Sequence, residues 1–477
     1  MQHFDLLVIG SGPAGQRAAI QAAKLGKNVA IVERRAVIGG VSVHTGTIPS
    51  KTLREAALYL SGWDQRGLYG RGYRLKQKLT IDDLMQRLNI TLAHEIEVMR
   101  HQLYRNGVRV IEGTARFRDV RSIEITSAAG HSALYSADKF VIAVGSCPVR
   151  PENIPFDDES ILDSDGILGL KKIPRSMIVV GAGVIGVEYA SIFSTIDVKV
   201  TLIDGRPDML NFMDREIVDE LTHHLRDRGV LLRMPERVAS VHKDSDGTVI
   251  THLESGKRLH ADTILFAAGR VGCTRELGLE NAGIEPDERG RVSVNAQYQT
   301  ATPHIYAAGD VIGFPSLAST SMEQGRLAAC HAFQKYACNS QTHFPFGIYA
   351  VPEMSMVGKT EQELTAERIP YEVGVARLRE TARGQIMGLD EGVLKVLFGL
   401  EDRRVLGVHI LGEGATELIH IGQAVLALNG TLDYFLEAVF NYPTLAEAYK
   451  IAALDAWNRM AIDPIAVCPV HAKVESV

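Results

Sequence analysis

Two repeats of a strand, a glycine-rich turn, a helix and a second strand constrain this sequence more than any other feature. In the first repeat, an apolar run at residues 5–9 leads into Gly10, Gly12 and Gly15, and the second strand ends at Glu33. The first glycine of such a turn allows a tight bend, the second lets a pyrophosphate approach the backbone, and the third lets the helix pack closely. The pattern therefore predicts a dinucleotide-binding βαβ unit.

The second repeat starts at residues 177–180 and carries Gly181, Gly183 and Gly186, with Asp204 at the end of its second strand. In both repeats the acidic residue stands 18 positions after the third glycine. That spacing is close to the offset of about 20 residues at which an acid meets an adenosine ribose. One glycine pattern alone is weak evidence, but two complete copies predict two bound dinucleotides.

Length and charge narrow the class of protein. A chain of 477 residues with 46% apolar content is expected to fold into several globular domains. The net charge is −6 and no run of lysine and arginine occurs, so no nucleic-acid partner is predicted. No apolar run reaches the roughly 20 residues of a membrane span, and the first residues do not resemble a signal peptide. We therefore expect a cytoplasmic protein without membrane association.

The cysteines do not suggest a disulfide framework, because they are odd in number and show no paired spacing. They are Cys147, Cys273, Cys330, Cys338 and Cys468. We interpret them as mostly buried, small apolar residues. Cys468 and His471 offer two ligands near the end of the chain, which is too few for a zinc site, and no metal is predicted.

The coarse organisation predicts an α/β protein. Helical spacing at residues 80–107 and short strands at 108–145 separate the two repeats, and the proline-rich stretch 148–155 is interpreted as a hinge. From about residue 344, strand-rich segments and two apolar helices indicate a separate α+β module. The expected architecture has two nucleotide-binding Rossmann-like domains and this C-terminal module.

Residues 304–329, HIYAAGDVIGFPSLASTSMEQGRLAA, resemble the second flavin fingerprint of the FAD/NAD-linked (pyridine nucleotide) disulfide oxidoreductase family. The resemblance extends to about residue 460. It implies that the first turn binds FAD, with Asp310 on the ribityl chain, and that the second binds NAD(P). It further implies a set of domains: FAD-binding at 1–150 and 275–342, NAD(P)-binding at 151–274, C-terminal dimerisation at 343–463, and a tail at 464–477.

Residues 39–51, GGVSVHTGTIPSK, resemble the family's redox segment, and we expect a glycine pair, a short polar loop and a helix begun by a proline. The family's two redox cysteines correspond to Ser42 and Thr47. Its acid/base histidine corresponds to Tyr442, with Glu447 as the partner acid. Hydroxyl groups cannot form a disulfide, and a phenol cannot replace an imidazole as a proton carrier near neutral pH. The resemblance thus implies a flavoprotein that has lost the redox disulfide.

By the same resemblance, Lys51 matches the lysine beside the reactive flavin nitrogen, and Glu188 matches its ion-pair partner. Apolar spacing places Lys51 in the first turn of a helix. We interpret both residues as catalytic, because a fixed cation stabilises negative charge where it develops. The alternative is a solvated lysine and a glutamate on a helix surface.

At the second repeat, Asp204 could accept a hydrogen bond from the 2′-hydroxyl of NAD, and Arg206 could hold the 2′-phosphate of NADP. The alternative is that Asp204 selects NAD and Arg206 is solvated.

Residues 46–51 and 440–444 resemble the soluble pyridine nucleotide transhydrogenase branch of the family. This implies hydride transfer between NADPH and NAD+ through FAD in a homodimer. Two other functions stay open: an NAD(P)H:quinone or dye reductase, and a non-enzymatic, redox-sensing flavoprotein.

Overall fold

The first glycine-rich repeat forms the centre of a mostly parallel sheet in the computed structural model, which describes residues 2–70, 72–335 and 343–460. The elements before residue 150 are β1 (Gln2–Ile9), α1 (Pro13–Lys24), β2 (Val29–Glu33), α2 (Gly40–His44), α3 (Thr47–Ser61), α4 (Arg66–Tyr69), α5 (Ile81–Arg105), β3 (Arg109–Glu112), β4 (Thr114–Asp119), β5 (Ser122–Thr126), β6 (Ser132–Ile142) and β7 (Ser146–Pro148). The strand order is β3-β2-β1-β6-β5-β4, with β3, β2, β1 and β6 parallel and β4 and β5 antiparallel.

The second repeat forms a separate, wholly parallel sheet. The elements that follow β7 are β8 (Ile161–Asp163), β9 (Ser176–Val180), α6 (Val184–Thr195), β10 (Lys199–Ile203), α7 (Arg215–Asp227), β11 (Leu231–Arg233), β12 (Val238–Lys243), β13 (Val249–Leu253), β14 (Arg258–Ala261), β15 (Thr263–Phe266), β16 (Arg270–Gly272), β17 (Ile305–Ala307) and α8 (Ala318–Ala332). The order of the parallel strands is β11-β10-β9-β15-β8. Strands β12, β13 and β14 form a small antiparallel sheet, β16 pairs with β7, and β17 joins the first sheet beside β6.

The C-terminal segment folds around an antiparallel sheet. Its elements are β18 (Phe346–Ile348), β19 (Met354–Gly358), α9 (Glu361–Glu367), β20 (Tyr371–Arg377), α10 (Ala382–Met387), β21 (Val393–Gly399), β22 (Val405–Leu411), α11 (Ala415–Ala427), α12 (Leu432–Glu437) and α13 (Glu447–Arg459). The strand order is β18-β19-β22-β21-β20. Helices α11 and α13 share one apolar core with β21 and β22. This α+β module agrees with the change of character predicted near residue 344.

The described residues divide into two compact units. The first unit takes its residues from 1–61, 75–209 and 229–340 and contains both parallel sheets. The second takes its described residues from 62–74, 210–228 and 343–460. The segment 210–228, which the sequence analysis assigns to the NAD(P) domain, therefore groups with the C-terminal module, and the domain bounds stay predictions.

Close packing between α1 and α8 positions the first glycine turn. A Cβ added to Gly325 of α8 would lie 2.0 Å from the carbonyl oxygen of Ala14, so only glycine fits there. The residue directly before it, Gln324, accepts a hydrogen bond from the N–H of Gly309 at 2.9 Å. Helix α8 thus fixes both the first turn and the chain that leads to Asp310.

The α/β fold class is confirmed, but one local expectation is wrong. Residues 40–44, expected as part of a polar loop, form the short helix α2, and α3 begins at Thr47, two residues before the proline. The reason is tertiary, because Gly40 at φ +61° packs α2 against the first glycine turn. Among the described residues, no helix is long and apolar enough to cross a membrane.

A buried lysine connects three acids within the second compact unit. Lys395 of β21 is fully buried, and its Nζ lies 2.9 Å from Asp214 Oδ1 and 2.9 Å from Glu216 Oε2. It also bonds to Glu361. Burial alone would lower the pKa of Lys395, but the three carboxylates outweigh burial and raise it, so the ammonium stays charged. The cluster holds the start of α7 on the C-terminal sheet.

We expect Lys395→Met to lower the urea midpoint for unfolding of this unit. The substitution keeps nearly the length of the side chain but removes the cation beside the buried carboxylate of Asp214, and breaking a buried ion pair costs about 3–5 kcal/mol. The measurement is urea denaturation followed by circular dichroism. Lys171→Met is the control, since Lys171 is 84% exposed and its ion pair with Glu159 is on the surface. Equal midpoints for the two variants would contradict this role for Lys395.

Candidate active site

The first and third glycines of each turn are required by the fold itself. A Cβ at Gly15 would lie 1.9 Å from the carbonyl oxygen of Gly10, and a Cβ at Gly186 would lie 1.8 Å from that of Gly181. Gly10 and Gly181 adopt φ of +104° and +110°, where other residues are strained. These glycines let α1 and α6 begin directly beside the ends of β1 and β9.

The second glycines face open space. No heavy atom lies within 4 Å of a Cβ built at Gly183, and the nearest to one at Gly12 is the Cα of Gly40 at 3.9 Å. Packing therefore does not demand glycine at either position. A pyrophosphate that approaches the helix N-terminus through this space does demand it. Both turns thus fit a dinucleotide.

Glu33, at the end of β2, is fixed by the first turn. Its Oε2 accepts hydrogen bonds from the backbone N–H of Ser11 at 3.1 Å and from the Ser11 hydroxyl at 2.6 Å. The Ser11 hydroxyl oxygen in turn accepts from the N–H of Gly39 at 2.9 Å. Ser11 therefore connects the turn, the acid and the segment that leads into α2. Sequence reasoning missed it because the glycine pattern leaves this position unspecified.

Asp204, after β10, repeats this arrangement. Its Oδ2 accepts from the N–H of Ala182 at 2.6 Å, and its Oδ1 accepts from the N–H of Arg206 at 2.8 Å. The Arg206 side chain adds two hydrogen bonds, at 3.0 and 2.8 Å. Burial alone would raise the pKa of Asp204, but the hydrogen bonds from Arg206 and Ala182 outweigh burial and lower it. The carboxylate is therefore anionic at neutral pH.

A cleft with an empty volume of about 1240 Å³, partly open to solvent, extends from the first turn. Its walls combine backbone N–H groups of the turn with carboxylates and small side chains. The residues assigned to FAD or to the redox positions that line it are Gly10, Gly12, Glu33, Asp310, Ser42 and Thr47. Gly15 is absent from this lining, since it packs on the turn. The cleft has the donors and the acids that a dinucleotide requires.

Asp310 lies in the cleft at the end of a hydrogen-bonded chain. Its Oδ2 accepts from the Ser146 hydroxyl at 2.9 Å, and the Ser146 oxygen accepts from Arg270 Nε at 2.9 Å. Arg270 also donates to Asp165 at 3.0 Å. This chain fixes the carboxylate of Asp310, whose Oδ1 makes no hydrogen bond within the described residues and is available to a ligand hydroxyl.

Helix α2 brings the redox segment to the first turn. A Cβ at Gly40 would lie 2.6 Å from the Cα of Gly12, so the two backbones are in contact. Ser42 donates its hydroxyl hydrogen to the carbonyl oxygen of Gly39 at 3.1 Å. Ser42 and Thr47 both face the cleft, and both carry hydroxyl groups.

Lys51 and Glu188 meet although 137 positions separate them. Lys51 Nζ lies 2.8 Å from each carboxylate oxygen of Glu188. Glu188 lies on α6 and is buried, whereas the Lys51 side chain is 23% exposed. Lys51 follows Thr47 by one turn of α3, so the ion pair lies just beyond the cleft lining. Helices α3 and α6 are thus in direct contact through this pair.

Tyr442 and Glu447 belong to the second compact unit. Tyr442 is 69% exposed, and Glu447 begins α13. Glu447 Oε2 is buried and makes no hydrogen bond with any residue the structure describes. Cys468 and His471, the two possible ligands considered in the sequence analysis, lie outside the described residues.

Two cysteines differ from the expectation of burial. Cys147 and Cys273 are half-buried and line the cleft, and of the described cysteines only Cys330 is buried. They come together because β7 pairs with β16, with Cys147 opposite Val271. Burial first, and then the neighbouring Cys147, raise the pKa of Cys273 to about 11. The Cys273 thiol is therefore protonated at neutral pH and is a poor nucleophile.

We expect Gly183→Ala to affect the binding of NADH and Gly186→Ala to affect the stability of the fold. Gly183→Ala has room for its methyl group and should fold normally, but should weaken NADH binding about tenfold, equivalent to about 1.4 kcal/mol. Gly186→Ala should lower the thermal midpoint, because its methyl group would collide with the turn. Thermal melting and the KM for NADH measure the two effects. An unchanged KM in Gly183→Ala would contradict the assignment of this turn to a nucleotide.

Solved structures share the fold over nearly the whole chain. The flavoprotein disulfide reductase RclA from Escherichia coli, in its Cu(II) complex, superposes with a TM-score of 0.86 at 27% identity, covering 95% of this chain and 99% of RclA. LpdA from Mycobacterium tuberculosis superposes with a TM-score of 0.86 at 26% identity and the same coverage of both chains.

Relatives found by sequence share a higher identity with this chain than these solved structures do. A soluble pyridine nucleotide transhydrogenase of Mycobacterium bovis is 54% identical over 461 residues, which is 96% of this chain and 98% of the relative. One of Vibrio parahaemolyticus is 46% identical, covering 96% and 99% of the two chains. Residues 4–325 match the pyridine nucleotide-disulphide oxidoreductase family, and residues 344–453 match its dimerisation domain. The resemblance seen in the sequence is thereby confirmed, and this chain belongs to the pyridine nucleotide-disulphide oxidoreductase family.

Proposed function

We propose that this protein transfers hydride between NADPH and NAD+ with the help of bound FAD. The observation that carries the proposal is the redox segment, where the cleft presents the hydroxyls of Ser42 and Thr47. A disulfide cannot form between them, so the segment cannot store two electrons. The names of the relatives, soluble pyridine nucleotide transhydrogenase at 46–54% identity, support the same activity.

The chain offers a separate residue set for each dinucleotide. The set proposed for FAD consists of Gly10, Gly12, Gly15, Glu33, Lys51 and Asp310. The set proposed for NAD(P) consists of Gly181, Gly183, Gly186, Asp204 and Arg206. Bound FAD supplies the chemistry of accepting a hydride from one pyridine nucleotide and giving it to another. The protein contributes orientation, charge and exclusion of water.

Lys51 is the proposed catalytic cation, and Glu188 orients it. Two contacts of 2.8 Å to a buried carboxylate hold the ammonium in one place. A positive charge that is already oriented stabilises developing negative charge without reorganising solvent. The ion pair thus suits a reaction in which hydride arrives and leaves repeatedly.

The proposed reaction requires no proton donor. NADPH and NAD+ become NADP+ and NADH by exchange of one hydride, and no proton is taken up or released. The proposed reaction therefore does not need an imidazole at the position of Tyr442. A dithiol reaction would need one, because a phenol cannot carry protons near neutral pH.

Quinone reduction is the second candidate, favoured by the small side chains of Ser42 and Thr47 in the cleft. Reduction of a quinone to a hydroquinone by hydride also consumes one proton, and among the described residues that line the cleft there is no histidine or lysine to supply it. Transhydrogenation is thus the better fit. A purely redox-sensing role would need rapid uptake of hydride and slow release to every acceptor.

We also propose a cytoplasmic homodimer. The dimerisation domain that residues 344–453 match supports pairing of two subunits. The word soluble in the names of the relatives supports the location. By the family resemblance, Tyr442 and Glu447 would then lie near the partner subunit's flavin.

We expect purified protein to reduce thio-NAD+ with NADPH in steady state. Absorbance of thio-NADH reports the transfer, and stopped-flow flavin bleaching by NADPH followed by recovery with NAD+ reports each half. Oxidised lipoamide and glutathione should give no turnover, because positions 42 and 47 lack thiols. Fast turnover of a quinone with negligible reduction of thio-NAD+ would favour a quinone reductase. Rapid flavin bleaching by NADPH followed by slow turnover with both acceptors would favour a redox-sensing flavoprotein.

We expect Lys51→Met to slow flavin reduction by NADPH about 100-fold, the size of effect seen when one preorganised donor is removed. The stopped-flow rate at saturating NADPH is the measurement. The variant also removes the cation that faces the buried carboxylate of Glu188 and could lower stability, so the double variant Lys51→Met/Glu188→Met separates the loss of catalytic charge from the loss of stability.

Lys24→Met on the exposed end of α1 is the matched control for Lys51→Met. It should reduce flavin at the wild-type rate. A double variant that is stable and as fast as wild type would show that the cation has no catalytic role.

A further inference from the structure

The acid at the second turn presents a charge problem for NADP. Asp204 and Arg206 form a two-point ion pair, and together they carry no net charge. A 2′-phosphate brings about two negative charges beside a carboxylate whose pKa is lowered and which is anionic at neutral pH. Arg206 alone cannot both neutralise Asp204 and attract the phosphate. A site that accepts NADP requires another cation here.

Arg237 lies across the residue between Asp204 and Arg206. A Cβ built on Gly205 would lie 2.9 Å from Arg237 Nε and 3.0 Å from its Cγ, so the side chain extends directly over the glycine. Arg237 is exposed. Its guanidinium makes no hydrogen bond or ion pair with any residue in the described part of the chain. Its charge is therefore available to a ligand.

Backbone contacts place Arg237 at this edge of the sheet. The N–H of Glu236 donates to the carbonyl oxygen of Asp204 at 2.8 Å, which joins the two loops. The neighbouring acid does not compete for the guanidinium, because Glu236 Oε1 accepts from the backbone N–H groups of Arg237 and Ser255 at 3.2 and 3.3 Å. The backbone at Glu236 thus holds Arg237 where its side chain can contact Gly205.

The backbone of Arg233 lies beside the backbone of the acid. It ends β11 in register with Ile203 of β10, and its carbonyl oxygen accepts the N–H of Asp204 at 3.2 Å. Its Nε is buried and has no hydrogen-bond partner among the described residues. Arg206 is the arginine whose side chain pairs with Asp204, and Arg237 lies over the adjacent Gly205.

We propose that Arg237, acting with Arg206, forms the subsite for the 2′-phosphate of NADP(H), while Asp204 serves the 2′-hydroxyl of NAD(H). This inference deepens the proposed function and rests on it for the assignment of the second turn. The planar guanidiniums suit a phosphate because each can donate two hydrogen bonds. Gly205 has a defined part as well, since it leaves the space that Arg237 occupies.

The test compares Arg237→Gln with Arg175→Gln in the FAD-loaded protein. Arg175 is the control because its side chain is 94% exposed and precedes β9, at the amino edge of the sheet, away from Asp204. Stopped-flow flavin reduction gives the apparent Kd for NADPH and for NADH. Competition against NADH by 2′,5′-ADP and by 5′-AMP reports the phosphate subsite without using NADPH as a reductant.

For Arg237→Gln we expect the Kd of NADPH and of 2′,5′-ADP to rise about tenfold, as for loss of one charged hydrogen-bonding partner. The values for NADH and 5′-AMP should stay within about twofold of wild type, since they lack the 2′-phosphate. Arg175→Gln should change none of the four. Equal weakening of all four ligands, or no change in any, would overturn the subsite.

The competition experiment also separates this inference from the proposed function. If the wild type fails to transfer hydride to thio-NAD+ but 2′,5′-ADP competes and loses affinity in Arg237→Gln, the subsite stands and transhydrogenation fails. If transfer is fast but 2′,5′-ADP competes no better than 5′-AMP, the proposed function stands and the subsite is wrong.

Discussion

The contact between the third and first glycines of each turn is the constraint on which the sites depend. With Gly15 against Gly10 and Gly186 against Gly181, each helix begins so close to its strand that its first N–H groups point out of the sheet edge. Any side chain at these positions would push the helix away. The second glycine then leaves space above the same N–H groups. A ligand with a pyrophosphate meets a fixed array of donors.

The two turns share this frame but differ in what surrounds the acid. Glu33 takes its hydrogen bonds from Ser11 and from the N–H of Arg35. Asp204 is instead paired with the side chain of Arg206, which lies half exposed beside it. The first acid is thus tied to the interior of the turn. The second belongs to a local charge balance that an incoming nucleotide can change.

The sequence predicted the parts of the site that depend on local chain geometry. Both glycine turns, their acids and the strands around them follow from residue spacing, and each is where it was expected. Helix α2 was missed because it forms through contact between Gly40 and Gly12, which no local pattern encodes. The positions of Cys273 and Arg237 were missed for the same reason, since strand pairing and loop contacts bring them to the cleft and to Gly205.

The hydroxyls at positions 42 and 47 have a consequence for what the second glycine turn must bind in the proposed reaction. Because a redox segment without thiols cannot hold electrons, the proposed reaction leaves bound FAD to hold them while the nucleotides exchange, and donor and acceptor would use the second turn in succession. That site must then accept a ribose with and without its 2′-phosphate. An acid alone would reject NADP, and an arginine alone would leave the hydroxyl of NAD without an acceptor. The pairing of Asp204 with Arg206, beside the guanidinium of Arg237 that has no partner among the described residues, is the arrangement that we propose for such an exchange.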